Sequence, residues 1–423
     1  MRYRIILLCF SFALSITAIA QQQTLTLEQC LAAAMKSHPL AGQNDLYAQT
    51  EDLAQKNIEN GKLPQLNING QATYQNEVIQ LLFNIPGAPP PVIPKAQYKV
   101  SLDANQLIYG GGAIDAQSTI EDYNRKINQL NNDAELYKMR ERVNQLYFGI
   151  LLSDLNAEVI NNTTSDLNSR LDKVKISVRE GVLLPSAADV LQAEILKAGQ
   201  RLLEVKTQKR ALINSMQVLT GLTINENTTF AAPGLEVDLT VYTNLRPEYG
   251  VFGLMQQKLE ATKKLSIAKD LPRLYGFGTA GYGNPGYNFF KEGSAFFGTV
   301  GAKVTWNFYN WHQTSREKQI LDLNNSIIEN QKNAYDMANK SQVQQYLADI
   351  NKADELLKSD EEIITLRKSI TTSAASQLEN GTITATDFVT EQLAEEQARL
   401  TRNLHQVQLL QSKSLYKAAT GGL

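Results

Sequence analysis

The chain is poor in the residues from which metal sites and most catalytic centres are built. Of its 423 residues only three are His and two are Cys. His38, His312 and His405 stand far apart with no ligand-type partner four residues away, which argues against a His/Cys metal cage. No GxSxG, HExxH or phosphate-loop pattern occurs. Tyr109-Gly110-Gly111-Gly112 is glycine-rich but lacks the Lys-Ser/Thr of a phosphate loop, and reads as a strand-to-helix bend. No enzyme, metal or cofactor is therefore expected. Charge of one sign is also lacking: 41 Lys and Arg face 43 Asp and Glu, a net charge of -2 without the basic face that nucleic-acid binding needs. Mean hydropathy is -0.28. Beyond residue 20 no apolar run approaches the ~20 residues of a spanning helix, so a membrane contact has to be made by strands or by surface association.

Residues 1–20 read as a secretory signal. Arg2 and Arg4 give the positive start, Ile5 to Ile16 the apolar stretch, and Ala18-Ile19-Ala20 the cleavage site, with Gln21 as first mature residue. Cleavage leaves Cys30 as the one cysteine, so the exported protein has no intrachain disulfide and is mildly acidic.

The rest repeats itself with a spacing of about 200 residues, far longer than a solenoid period. Leu63-Pro64-Gln65-Leu66 recurs as Leu271-Pro272-Arg273-Leu274, Asn105-Gln106-Leu107-Ile108-Tyr109 as Thr305-Trp306-Asn307-Phe308-Tyr309, Arg179-Glu180-Gly181 as Glu379-Asn380-Gly381, and Leu219-Thr220-Gly221 as Ala419-Thr420-Gly421. This predicts a first repeat over 21–221, a linker over 222–247 and a second repeat over 248–423. Each repeat holds a helix (26–60 or 247–270), two strands, a very long helix, a glycine-marked break and a second long helix.

The predicted strands are 65–75 and 98–108, then 274–283 and 296–309. In Gln65 to Gln75 every even position is apolar or Gly and every odd position polar, which gives a strand one greasy and one wet face. The segments from Tyr98 and from Phe296 alternate likewise, while Gly interrupts the 274–283 stretch. Aromatics gather near strand ends: Tyr74, Tyr98, Tyr109, Tyr275, Trp306, Phe308, Tyr309 and Trp311. Alternation alone fits an ordinary half-buried sheet as well as a membrane barrel. The export signal and the aromatic ends favour the barrel; the other reading is a non-channel periplasmic or surface coiled-coil protein. Residues 78–95 hold five prolines and form a stiff loop, matched by a shorter loop over 284–295.

Between Gly112 and Glu180 no proline occurs, and apolar residues recur every three or four positions with a slip, as in a coiled coil whose seam drifts around the helix. Gly181 and Pro185 end this helix, and Asn380-Gly381 end its counterpart. Four strands per chain cannot close a barrel, since the smallest have about eight, so strands placed in lipid imply several chains sharing one barrel.

This order resembles the TolC-like outer-membrane efflux proteins, the outer-membrane factors, over essentially the whole mature chain. Leu25-Thr26-Leu27-Glu28-Gln29-Cys30-Leu31 through His38-Pro39 resembles their first helix, where Asn-Pro is commoner. Gly181 through Asp189-Val190-Leu191-Gln192-Ala193-Glu194 and Gly381 through Asp387-Phe388-Val389-Thr390 resemble their two hairpin tips. The resemblance implies a mainly α protein with a membrane β-barrel: a homotrimer sharing a barrel of about 12 strands and a periplasmic α-helical tunnel. It further implies an outer-membrane location in a Gram-negative bacterium, and a passive channel for efflux or type I secretion. A periplasmic adaptor protein and an inner-membrane transporter would be the partners. Tip residues Arg179, Gly181, Val182, Asn380, Gly381 and Thr382 would meet the adaptor. Asp387 would ring the entrance; Thr390 stands where the family has a second acid, so only one acidic ring is implied, and Asp189 is an entrance candidate on the first tip, where the interval from the glycine is two residues longer than on the second. Helix capping is the other role open to Asp387 and Asp189. Lys99, Asp103 and Lys303 on the wet strand face would line the lumen.

Overall fold

A computed structural model describes residues 24–79, 93–237, 245–289 and 291–422. The signal sequence and most of the proline-rich loop lie outside these residues.

In chain order the elements are β1 (Thr24–Leu25), α1 (Leu27–Ser37), α2 (Gln43–Glu59), β2 (Gln65–Tyr74), β3 (Ala96–Tyr109), α3 (Ala113–Arg179), α4 (Pro185–Thr220), β4 (Thr229–Phe230), α5 (Pro247–Lys269), β5 (Arg273–Asn284), β6 (Ala295–Thr305), α6 (Gln313–Glu379) and α7 (Ala385–Thr420). The two series match in length as well as in order: α3 and α6 have 67 residues each, α4 and α7 have 36 each. No described helix is long and apolar enough to cross a membrane. The chain divides into two compact units, one of 1–38, 138–242 and 343–423, the other of 39–137 and 243–342.

The single helix expected over 26–60 is broken. α1 ends at His38, and Pro39–Gly42 forms a 3-10 turn before α2. Proline disfavours helical backbone at the residue before it, and His38 accordingly turns extended (φ -65°, ψ 136°). The start of α1 is set by a capping box: Thr26 Oγ1 accepts from Gln29 N–H at 3.3 Å, and Gln29 Oε1 accepts from Thr26 N–H at 3.0 Å.

The core of the first unit gathers Leu27, Cys30 and Leu31 of α1, Val143, Tyr147, Phe148 and Ile150 of α3, and Ile213 and Met216 of α4. Burial pushes the Cys30 thiol up to about 11, so it is an inert packing residue. The 222–247 segment had no readable period, yet part of it enters this core. β4 pairs in parallel with β1 (Thr24 with Thr229, Leu25 with Phe230). Phe230 meets Tyr147 edge-on at 5.3 Å, and the Tyr147 hydroxyl reaches Ala231 O at 2.6 Å and Leu25 O at 3.0 Å. One buried phenol thus ties the helical core to both strands of this small sheet.

In the second unit β2, β3, β5 and β6 form one antiparallel sheet in that order. Its register sets even residues opposite even residues except at one bulge: Ile68 faces Leu102, Val100 faces Tyr282, and Gly278 faces Val300. A bulge between Leu107 and Tyr109 brings Tyr109 opposite Leu274, which moves this aromatic to the even face. β6 ends at Thr305 rather than at 309. The Trp306 indole N–H donates to Asp270 O at 2.9 Å and Asn310 donates to Asp270 Oδ1 at 2.7 Å, which draws this segment off the ladder toward the end of α5.

Tyr147→Phe is expected to lower stability by about 1–2 kcal/mol, because the single phenol proton shared between Ala231 O and Leu25 O is lost while the ring packing stays. Thermal melting of the purified protein reads this, and an unchanged midpoint would show the hydroxyl to be idle.

Candidate functional site

Two regions have the features of working surfaces, the sheet in one unit and the helical tips in the other. On the even face of the sheet side chains are apolar or Gly in all four strands, apart from Gln106 and Asn284, and most of the large ones are bare. Ile68 is 77%, Phe296 87% and Val300 88% exposed. Residues of this size are normally covered, and a contiguous apolar face marks a surface built for another phase or another chain.

The odd face is polar, with aromatic rings set among glycines. Phe277 lies across Gly301 and Phe297 across Gly281, each pair directly opposite in register; a Cβ on Gly281 would fall 2.4 Å from the Phe297 ring. The glycines that weakened the strand pattern of β5 are thus places where a ring fills the missing side chain. Asp103 is the hub of this face. Asn69 Nδ2 and Ser101 Oγ donate to its Oδ2 at 2.6 and 3.0 Å, and Thr279 Oγ1 donates to its Oδ1 at 2.6 Å, so one carboxylate joins β2, β3 and β5. Lys99 and Lys303 share this face by register. Lys303 lines a cleft that also takes in Arg273, a residue the sequence pattern had not marked. Tyr275 likewise stands on this face, opposite Lys303, and not among the bare apolar residues.

The helical tips come together in the first unit. Leu167, Leu171 and Val174 of α3, Leu191 of α4, Ala374, Ala375 and Leu378 of α6, and Ala385, Phe388 and Val389 of α7 form one buried cluster. α3 and α6 both end in a Schellman motif: Gly181 N–H donates to Val178 O and Val182 N–H to Ser177 O, as Gly381 N–H donates to Leu378 O and Thr382 N–H to Gln377 O. Both glycines have positive φ (75° and 70°), where a side chain is strained, and this is why glycine marks the two breaks. Arg170 and Lys173 of α3 pair with Glu379 at the end of α6. Arg201 of α4 joins two buried carboxylates, Glu194 at 3.0 Å and Glu396 of α7 at 3.2 Å. Burial pushes the Glu396 carboxyl above its usual range, against the pull of Arg201.

A groove of about 460 Å³ runs between the tips, lined by Val182, Leu183 and Leu184 on one side and Gly381, Thr382 and Asp387 on the other. The predicted tip residues divide accordingly. Val182, Gly381, Thr382 and Asp387 line the groove; Gly181, Arg179 and Asn380 are exposed beside it. Asp189 and Thr390 lie along the exposed sides of α4 and α7, and Thr390 Oγ1 donates to Thr386 O at 2.9 Å. Asp189 caps nothing, since α4 begins with Pro185 after an uncapped Leu184. Asp387 is the third residue of α7 rather than its cap. Its Oδ2 accepts from Thr384 Oγ1 at 2.7 Å and from Thr384 N–H at 3.0 Å, while Thr384 Oγ1 accepts from Asp387 N–H at 3.2 Å. The signal was in the sequence as Thr384-x-x-Asp387, a variant of the capping box. Among the described residues no cluster of three or more His, Cys, Asp or Glu could hold a metal.

The Thr384 hydroxyl and backbone bonds hold the Asp387 carboxyl below its ordinary value. A carboxyl lowered by folding stabilises the fold fully above its unfolded pKa of ~3.9 and ceases to do so as pH falls through the folded value. Protection of the Asp387 amide, taken relative to its intrinsic exchange rate at each pH, should therefore fall as pH drops below 4, and Thr384→Ala should lower it at neutral pH by the equivalent of about 1 kcal/mol. An unchanged rate in Thr384→Ala would count against the box.

No protein-family model matches the chain, and no curated protein matches it. Solved structures do. The outer-membrane protein VceC of Vibrio cholerae aligns with a TM-score of 0.68 at 10% identity, over 94% of this chain and 96% of that one. The open state of the MtrE outer-membrane channel of Neisseria gonorrhoeae aligns with a TM-score of 0.66 at 16% identity, over 94% and 89%. The CmeC outer-membrane channel of Campylobacter jejuni aligns with a TM-score of 0.66 at 13% identity, over 94% and 85%. At these identities the likeness speaks for the fold, and the chain has the TolC-like fold of outer-membrane channel proteins.

Proposed function

We propose that this chain is the outer-membrane channel of a tripartite efflux or type I secretion system. Three copies share one barrel of about 12 strands in the outer membrane, and their helices continue as a periplasmic tunnel. Each chain is an internal duplication, so the ring has pseudo-sixfold character. The duct is passive: cargo passes chemically unchanged. A periplasmic adaptor contacts the tips around Arg179, Gly181, Val182, Asn380, Gly381 and Thr382 and opens the entrance, an inner-membrane transporter supplies the energy, and Asp387 rings the entrance. Lys99, Asp103 and Lys303 face the lumen.

The observation that carries this reading is a four-stranded sheet whose even face is apolar and bare while its odd face is polar and hydrogen-bonded through Asp103. That division suits a wall between lipid and water. The equal lengths of α3 and α6, and of α4 and α7, support the duplication. The fold shared with CmeC and MtrE, both outer-membrane channels, supports the transport role.

Electron microscopy of the full-length protein extracted in detergent should show three-fold particles with a detergent belt; a protein that stays monomeric and needs no detergent would sink the reading. Arginine at Val100 or Val300 should cost roughly 2–4 kcal/mol near mid-bilayer, and lysine at Asn67 on the other face should be tolerated. Recovery of assembled oligomer from outer membranes measures both, and equal losses would argue against a lipid-facing even face. Asp387→Ala should raise the leak current of the protein in planar bilayers, while Thr384→Ala, which keeps the carboxylate, should not. An equal rise in both would assign Asp387 to capping alone.

A further inference from the structure

The second unit holds two pairs of stacked helices in matching order along the chain. α2 lies on α3, where Asn44 donates to Asp133 at 2.9 Å and Ser118 to Gln55 at 2.6 Å. α5 lies on α6, where Tyr249 donates to Asp336 at 3.0 Å and Lys263 pairs with Asp322 at 2.6 Å. α5 also lies on α3. The Arg246 guanidinium stands 5.5 Å from the Tyr137 ring, and Gly250 comes so close that a Cβ on it would fall 2.6 Å from Leu130 Cδ2. At the other end of α5, Ala268 O lies 2.9 Å from where a Cβ on Gly111 would stand, so α5 runs antiparallel to α3. The stripe of α3 beneath it is Ile120, Tyr123, Ile127, Leu130, Ala134 and Tyr137, every member buried or half-buried.

α3 and α6 have equal lengths and start at Ala113 and Gln313, so each α3 residue has its counterpart 200 places on. The stripe recurs on α6 as Ile320, Leu323, Ile327, Asn330, Ala334 and Met337, and there every member is exposed. Ile120 and Ile127 are 8% exposed, Ile320 55% and Ile327 51%. The covering helix has a counterpart too. Leu63-Pro64 matches Leu271-Pro272, 208 places on, which sets Gly42 against Gly250, Leu46 against Leu254 and Leu53 against Ala261. Ala261 is buried, whereas Leu46 and Leu53, two turns apart on one side of α2, are bare. The chain thus completes the contact of α5 with α3 and leaves both halves of the equivalent contact open.

The sheet shows where the missing partner stands. α2 leads into β2 and β6 leads toward α6, and β2 and β6 are the two end strands. The two bare helix faces therefore belong to the two ends of the series, where another copy would continue it. We infer that the bare stripe of α6 is the seat of α2 from a second copy of this chain, packed antiparallel as α5 packs on α3. Carried across, the Gly250 and Leu130 contact becomes Gly42 by Asn330, which brings Leu46 to Ile327 and Leu53 to Ile320. The contact is head-to-tail: each copy gives its α2 face and receives on its α6 face, so copies add in one direction until a ring closes. The seat rests on the two bare faces alone; that three copies close the ring rests on the duct reading above.

The test uses full-length protein carrying Leu46→Cys with Ile327→Cys, or Leu53→Cys with Ile320→Cys, oxidised in outer membranes with copper phenanthroline and run on non-reducing gels. All four positions are exposed in the chain, so the changes spare its fold. Both pairs should link different copies into a ladder that ends at three. Each single variant, and the displaced pair Leu53→Cys with Met337→Cys, should run as one copy. Leu46→Asp with Leu53→Asp should lower recovery of the oligomer about ten-fold at unchanged helix content; equal recovery overturns the seat. So does a matched pair that links within one copy or links no better than the displaced pair. Matched pairs that stay unlinked in three-fold particles overturn the seat and leave the ring standing. A ladder that stops at two, or runs beyond three, upholds the seat and overturns the three-copy duct.

Discussion

A backbone N–H or C=O that leaves water has to find a partner, and in hydrocarbon there is no solvent to supply one. The four-stranded sheet presents this constraint in a concrete form. Its order runs from β2 to β6, so each end strand offers one side of its backbone with no strand on it among the described residues. Its even face is apolar along nearly its whole length. A sheet with a greasy face and two open edges is complete only when other strands close it. The sharing of a barrel among copies, proposed above, would meet that requirement. The polar face fits the same proposal, because a sheet closed into a wall leaves one side for water.

The helical parts answer a different demand. α3 and α6 are too long for one fixed apolar stripe, since an ideal helix drifts relative to a strict heptad. Their buried residues accordingly change partners along the length. In α3, Tyr147 and Phe148 pack with α1 and β4, whereas Leu167 and Leu171 pack with all the helices that meet at the tips. Charged groups inside this packing are shared rather than isolated. Arg201 serves both Glu194 and Glu396, the arrangement that keeps a buried carboxylate from standing alone. Breaking one member would leave the others unbalanced, so helices α4 and α7 are joined by a contact that tolerates little change.

Periodicity made most of this legible. Alternation along 65–75 and 98–105 named the faces of β2 and β3, because a strand returns to the same face every second residue. Gly181 and Gly381 marked the tips because a left-handed turn has few other occupants. What stayed hidden depends on contacts between distant segments. β1 and β4 are two residues long and have no period to read; they pair beside Tyr147, which is over eighty residues from Phe230 in the chain. Arg273 sat in plain sight within Leu271-Pro272-Arg273-Leu274, but only the register of β5 against β6 sets it beside Lys303. The end of β6 was misjudged because Phe308 keeps the alternation going, while the Trp306 indole is held by Asp270 O and the chain leaves the sheet.

The two strand-to-helix corners show how one backbone path can carry different residues. Gly111 and Gly112 have φ of 64° and 81°, and at the corresponding place Trp311 and His312 have φ of 55° and 60°. The left-handed conformation is natural to glycine and uncommon for Trp or His, so the second corner is held under strain that the first avoids. Packing explains why the first must be glycine. A Cβ on Gly111 would come within 2.8 Å of Leu271 Cβ and 2.9 Å of Ala268 O, at the end of α5. Trp311 is 74% exposed and its ring meets Tyr309 edge-on at 5.0 Å, so nothing on that side forbids a large side chain. Trp and Tyr, exposed here where a strand gives way to helix, are residues that favour a lipid–water boundary, where one end of the ring is apolar and the other wet. The backbone geometry is thus common to both corners, and the surroundings decide between a residue with no side chain and one whose side chain has a use.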